Sequence, residues 1–174
     1  CSAQKEHQQI HPQNGWVEHD PEQIWQNVLE LINRTITELK ISLSDLTSIG
    51  ITNQRETIIA WDCKTGKPYY NAIVWQDLRG SELCTKLEDK YTNQFFADLT
   101  GLRASPYFSA SKISWLLDHI KDHNNLKLGT IDCWLLWKLT GEHITDITNA
   151  SRTLLFDINT CSWSLPLCKI FGVD

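Results

Sequence analysis

With 174 residues, 41% of them hydrophobic, the chain is long enough to bury a core of its own and too apolar to belong to the disordered class. A net charge of -5 without any long Lys or Arg run argues against a phosphate-tracking stripe, and so against a nucleic-acid partner. No apolar run nears the roughly 18 residues of a membrane span, and the polar start Cys1 to Gly15 lacks the apolar centre of a signal peptide, so a cytoplasmic protein is expected.

Along the chain, Asp20 precedes Pro21 as an N-cap before a first helical position. Apolar residues then recur at Ile24, Val28, Leu31, Ile32, Ile36 and Leu39, which predicts an amphipathic helix. Strands are expected at Leu46 to Thr52, Thr57 to Trp61 and Ala72 to Trp75, the last two joined through the turn-forming stretch DCKTGKP. Asp77 to Lys90 reads as a polar helix with Leu78, Leu83 and Leu87 on a thin apolar face, followed by a break at Thr100-Gly101. A helix begins near Ser109. LGTIDCWLLWKLTG gives a short strand, Asp132 as N-cap, a buried helix and Gly141 just past its end. Two short strands around a polar turn are expected in HITDITNASRTLLFDIN, then a short helix stopped by Gly172. The alternation predicts one α/β domain, with mixed pairing because of the Thr57 to Trp75 hairpin.

The six cysteines form no C-x-x-C pair, which predicts free thiols rather than a zinc site or a disulfide frame. Two Asn-x-Ser/Thr matches, at Asn33 and Asn149, are of the kind that arises by chance. His119 and His123 share a helix face but lack the Glu of an H-E-x-x-H site, so surface histidines are the expected reading and no metal is assigned to them. No phosphate-cradling G-x-x-x-x-G-K-[ST], no dinucleotide G-x-G-x-x-G and no nucleophile elbow is present.

The segment IGITNQRETIIAW puts four polar residues, Asn53 to Glu56, between two apolar runs. Open α/β sheets bind ligands beyond the carboxyl ends of their strands, which is where this tetrapeptide falls. Arg55 offers a fork of donors and Glu56 offers acceptors, a combination that matches the hydroxyls of a polyol. Neighbours in a regular strand face opposite sides, so both reach one ligand only if the chain kinks there. Otherwise they neutralise each other at a strand edge, and position alone leaves the two readings even. A polyol also wants an apolar wall. Trp75, closing a strand, and Tyr107, after Pro106 at a helix entrance, lie at element ends where loops meet ligands. Trp25, Trp115, Trp134 and Trp137 lie inside helices and read as core, while Trp16, Trp61 and Trp163 are left open.

Several segments together resemble the FGGY carbohydrate kinases, and within them the branch that phosphorylates glycerol. They are GWVEHDP (Gly15 to Pro21), IGITNQRET (Ile49 to Thr57), TGKPYYNAIVWQDLR (Thr65 to Arg79), TGL (Thr100 to Leu102), YFSASKISWLLDH (Tyr107 to His119), GTIDCWLLWKLTG (Gly129 to Gly141) and TDITNASRTLLFDI (Thr145 to Ile158). The resemblance implies a ribonuclease-H-like, actin/hexokinase-type ATPase domain with a mixed sheet flanked by helices, and residues 1–174 as part of its acceptor-binding N-terminal domain. It implies that Arg55, Glu56, Trp75 and Tyr107 hold glycerol, that ATP and Mg2+ are needed by the complete enzyme, and that the complete enzyme is a homo-oligomer. The family's Asp-x-Gly-Thr-Thr phosphate hairpin, its catalytic Asp base and its C-terminal nucleotide domain have no counterpart in these residues, so the catalytic residue is expected outside the chain. The stretch HIKDHNNLKLGT is shorter than the family's usual connection. A kinase for another small polyol or sugar, or a non-catalytic polyol-binding module, are the alternative readings.

Overall fold

The computed structural model describes residues 1–173. A four-stranded sheet lies between two layers of helices, with strand order β1-β3-β2-β4. Its strands are β1 (Glu18–His19), β2 (Ile58–Asp62), β3 (Ala72–Ile73) and β4 (Leu126–Thr130). The longest ladder pairs β2 with β4, from Ile58 opposite Thr130 to Asp62 opposite Leu126.

Strand β2 shows why the sheet is covered on both faces. Successive side chains point to opposite sides, and Ile58, Ile59, Ala60 and Trp61 are all buried. Ile58 and Ala60 enter one core with Ile73, Phe96, Ile113, Leu116 and Phe171. Ile59 and Trp61 enter a second core with Ile24, Ala72, Cys133 and Trp134. The first is roofed by α2 (Ser81–Lys90), α3 (Asn93–Thr100), α4 (Ser109–His119) and α7 (Leu165–Phe171), the second by α1 (Pro21–Leu39) and α5 (Ile131–Thr140). Gly129 fits under this second layer because a Cβ there would come within 2.7 Å of Cys133 Sγ.

The α/β architecture, α1 with its Asp20 cap, the helix from Ser109 and the free state of all six cysteines agree with expectation. Several elements differ. Leu46 to Thr52 forms no strand: it runs as irregular chain with Leu46 38% and Ile49 58% exposed, because no described strand lies beside it to accept its backbone groups. Without it, all pairings among the described residues are antiparallel rather than mixed. The helix expected from Asp77 starts at Ser81, since Asp77 is fully buried in a turn, and Leu78 is exposed. A further helix, α3, precedes Gly101, capped by Thr92. Asp132 sits inside α5, whose N-cap is Thr130. The first of the two late strands is instead a helical turn, α6 (Ile147–Ala150), and the second pairs locally as β5 (Phe156–Asp157) with β6 (Ser162–Trp163).

A buried polar network ties the sheet edge to α2. Arg79 donates to Asp77 at 2.8 Å and to Glu18 at 2.6 Å, and its guanidinium lies 3.7 Å from the Trp16 ring and 4.5 Å from that of Trp115. Val17 N donates to the same Asp77 carboxylate at 2.7 Å. The turn that follows Trp75 is thereby fixed to β1. Of the Trp residues left open above, Trp61 is fully buried against Trp134, Trp16 stacks on Arg79, and Trp163 stays half exposed over Phe156.

Candidate functional site

The tetrapeptide Asn53 to Glu56 leads directly into β2. Its first residue is anchored: Asn53 Nδ2 donates to Asp132 Oδ1 at 3.1 Å, and that carboxylate also accepts from the hydroxyls of Thr130 and Thr145. Its last residue is bent. Glu56 has φ +66, a left-handed conformation that a Glu side chain adopts at a cost of roughly 1–2 kcal/mol. The kink that a shared site for Arg55 and Glu56 would require is therefore present.

The two side chains do not neutralise each other. Glu56 is only 3% exposed, and its Oε1 accepts from Nε of Arg152 at 2.7 Å. Arg55 remains exposed, with no ion-pair partner among the described residues. Arg152 is the residue that sequence reasoning missed. It follows α6, and its guanidinium also lies over two rings, 5.7 Å from the centroid of Tyr107 and 4.9 Å from that of Phe108.

Tyr107 is exposed, and its ring centroid lies 5.3 Å from that of Trp75. The two aromatics chosen from their places at element ends thus meet, although 32 positions separate Trp75 from Tyr107 in the sequence. Backbone contacts hold the pieces in common register. Trp75 N donates to Thr57 Oγ1 at 3.2 Å, the fully buried Ser109 hydroxyl donates to the Glu56 carbonyl at 3.0 Å, and Ala110 N donates to the Thr153 carbonyl at 2.9 Å. The start of α4 is the shared support for Glu56, Tyr107 and the residue after Arg152.

Glu56, Trp75 and Tyr107 are brought together, with Arg152 as a fourth member; Arg55 adjoins them through the chain and reaches neither ring. The arrangement is a carboxylate held by one guanidinium, a second guanidinium free in solvent, and a pair of rings forming a wall. Such a site can take hydroxyl donors and acceptors at one side and a carbon skeleton at the other. His119 and His123 spend ring nitrogens on backbone carbonyls of Trp115 and Ile120. Among the described residues, no group of three or more His, Cys, Asp or Glu is placed to hold a metal ion. No described helix is long and apolar enough to cross a membrane.

Residues 1–174 match the N-terminal domain of the FGGY family of carbohydrate kinases. The glycerol kinase of Leptospira biflexa is 52% identical over 180 residues, a match covering 99% of this chain and 36% of that protein. The structure of Plasmodium falciparum glycerol kinase with ADP superposes with a TM-score of 0.91 at 45% identity, covering 97% of this chain and 35% of that one. Gluconate kinase from Lactobacillus acidophilus shares the fold, with a TM-score of 0.87 at 23% identity over 98% of this chain and 34% of its own. The chain therefore spans about a third of the length of the relatives it matches.

Proposed function

The chain belongs to the FGGY family of carbohydrate kinases, and from that premise we propose that the complete protein transfers the γ-phosphoryl group of ATP to a terminal hydroxyl of glycerol. Residues 1–174 are its acceptor-binding N-terminal part. In this reading Glu56 accepts a hydrogen bond from one glycerol hydroxyl and Arg55 donates to another. The Trp75 and Tyr107 rings pack against the carbons. Arg152 holds the Glu56 carboxylate in place through the Nε contact. The observation that carries the proposal is the meeting of Glu56, Trp75 and Tyr107 at the start of α4, in a chain half identical to glycerol kinases.

Phosphoryl transfer rests on positioning and charge stabilisation, with a carboxylate base taking the proton of the attacking hydroxyl. The Asp base, the phosphate-binding hairpin and the nucleotide domain are assigned to parts of the protein outside this chain. The Mg2+ that accompanies the nucleotide phosphates is assigned there with them. It follows that the chain by itself is inactive. A cytoplasmic setting, where ATP is plentiful, and a homo-oligomeric complete enzyme complete the proposal.

The test is ATP-dependent phosphorylation by the full-length protein with glycerol, xylulose and gluconate in parallel. Glycerol is expected to be preferred. A clear preference for xylulose or gluconate overturns the glycerol assignment, and glycerol binding without turnover would mark a non-catalytic polyol module. Arg55→Ala and Glu56→Ala each remove a hydrogen bond to a charged group worth roughly 1.5–3 kcal/mol, which is about ten- to a hundredfold in kcat/KM for glycerol. Trp75→Ala should raise the glycerol KM and leave that of ATP nearly unchanged. Normal melting of the Arg55 and Glu56 variants with wild-type efficiency would exclude the clamp.

A further inference from the structure

Lys112 is fully buried, and its ammonium group faces the wrong end of a helix. It lies in the first turns of α4, where the helix dipole disfavours a cation, and an aliphatic side chain of similar length would fill the space without desolvating a charge. Its Nζ donates to three backbone carbonyls in a row, those of Pro106, Tyr107 (3.0 Å) and Phe108 (3.2 Å). Three consecutive carbonyls converging on one point fold the 106–108 backbone around that point, and Tyr107 is the middle residue. Its other local ties are slight: Tyr107 N donates to Ser105 Oγ at 3.2 Å and Phe108 N to the Ser105 carbonyl at 3.2 Å.

We propose that Lys112 is a positioning residue of the acceptor site, its ammonium gathering the 106–108 carbonyls so that the Tyr107 ring stands beside Trp75. The proposal rests on the glycerol-site reading above. The competing role is that of a plain countercharge, because the neighbouring buried network holds Glu18 and Asp77 against the single guanidinium of Arg79. The titratable and charged groups facing Lys112 are Asp77, Arg79, Cys84 and Glu56.

The two roles separate on titration. Burial lowers the Lys112 pKa from its ordinary 10.5 to about 8. A neutral amine has two N–H donors for three carbonyls and turns a lone pair toward the third, so positioning weakens as pH rises through about 8. Stability moves the other way. The unfolded chain binds the Lys112 proton more tightly than the folded one, so the destabilisation present at neutral pH disappears as pH climbs from about 8 to 10.5.

The experiment uses the full-length protein with Lys112→Met and Lys112→Arg variants, kinetics in glycerol and ATP from pH 6.5 to 9.5, thermal melts, and spectra of 13C-labelled tyrosine with the Tyr107 signal assigned by Tyr107→Phe. The wild-type glycerol KM is expected to rise above a midpoint near pH 8 while the ATP KM stays level. Lys112→Met should raise the glycerol KM about tenfold and abolish that pH dependence. A countercharge role predicts shifted melts with unchanged glycerol KM, and that result overturns the proposal. If Lys112→Met fails to fold, the wild-type profile decides alone, and a flat glycerol KM across pH 8 counts against positioning. If the protein prefers another acceptor, the glycerol reading falls but the Tyr107 signal still decides. It should titrate near pH 8 in wild type, and a Tyr107 signal insensitive to pH there overturns the proposal without reference to any substrate.

Discussion

Arg152 shows how a member of the candidate site can be invisible in sequence and plain in space. It lies 96 positions from Glu56, and nothing local distinguishes it from a surface arginine. Arg55 and Glu56 stand out in sequence as polar residues between two apolar runs, Trp75 as the close of a strand and Tyr107 as the residue after Pro106 at a helix entrance. Arg152 has no such marker. Its contact to Glu56 is a charge-assisted hydrogen bond, and its fork geometry is something a lysine cannot reproduce. Arg152→Ala in the complete protein should therefore lower kcat/KM for glycerol about ten- to a hundredfold, with Lys intermediate. Steady-state kinetics with parallel melts check this, and equal activity of the Ala and Lys variants with wild type would mean that Glu56 orients itself.

At the level of elements, helices with strong ends were readable and short segments were not. Asp20-Pro21 announced α1, and Gly141 announced the end of α5, because caps are chemical signals carried by single residues. In HITDITNASRTLLFDIN the sequence predicts two short strands around a polar turn, the first of them in a stretch whose β-branched residues favour a strand. Capping outweighed that propensity: Asp146 accepts from the backbone of Thr148 and Asn149 and from both their side chains, which winds Ile147–Ala150 into a helical turn. Those hydrogen bonds pull the Asp146 pKa down from 3.8 to about 2, the Thr148 contact contributing most. A depressed carboxylate stabilises the fold above its unfolded pKa and loses that contribution as the pH falls through its folded one, so this cap weakens between about pH 4 and 2. Asp146→Ala should cost about 1 kcal/mol by chemical denaturation at pH 7. The difference from wild type should shrink toward pH 2. A difference that is constant with pH would place the loss elsewhere. Because Arg152 follows this turn, the same variant is expected to raise the glycerol KM of the complete protein.

For the whole molecule, the α/β class follows from alternation of apolar patterns and the helix-flanked sheet from the family resemblance, and the one large disagreement has a physical origin. Leu46 to Thr52 has the residues of a strand but no ladder to join among the described residues, and propensity without a partner does not make a sheet. The buried Arg79 network was equally hidden, since Glu18 and Asp77 lie 59 positions apart and look, in sequence, like surface acids. Left-handed backbone at Glu56 bears on the molecule in another way. A domain's entire margin of stability is about 5–15 kcal/mol, and the conformation of this one residue subtracts roughly 1–2 from it. On the acceptor-binding role proposed for Glu56, selection for robustness and selection for turnover pull position 56 in opposite directions. Glu56→Asn enters the left-handed region more readily and keeps an oxygen for Arg152, so a library screened only for heat resistance should enrich it while one screened for glycerol phosphorylation discards it. Depletion of Asn at position 56 from the heat-selected pool would show that the conformation is already at ease there.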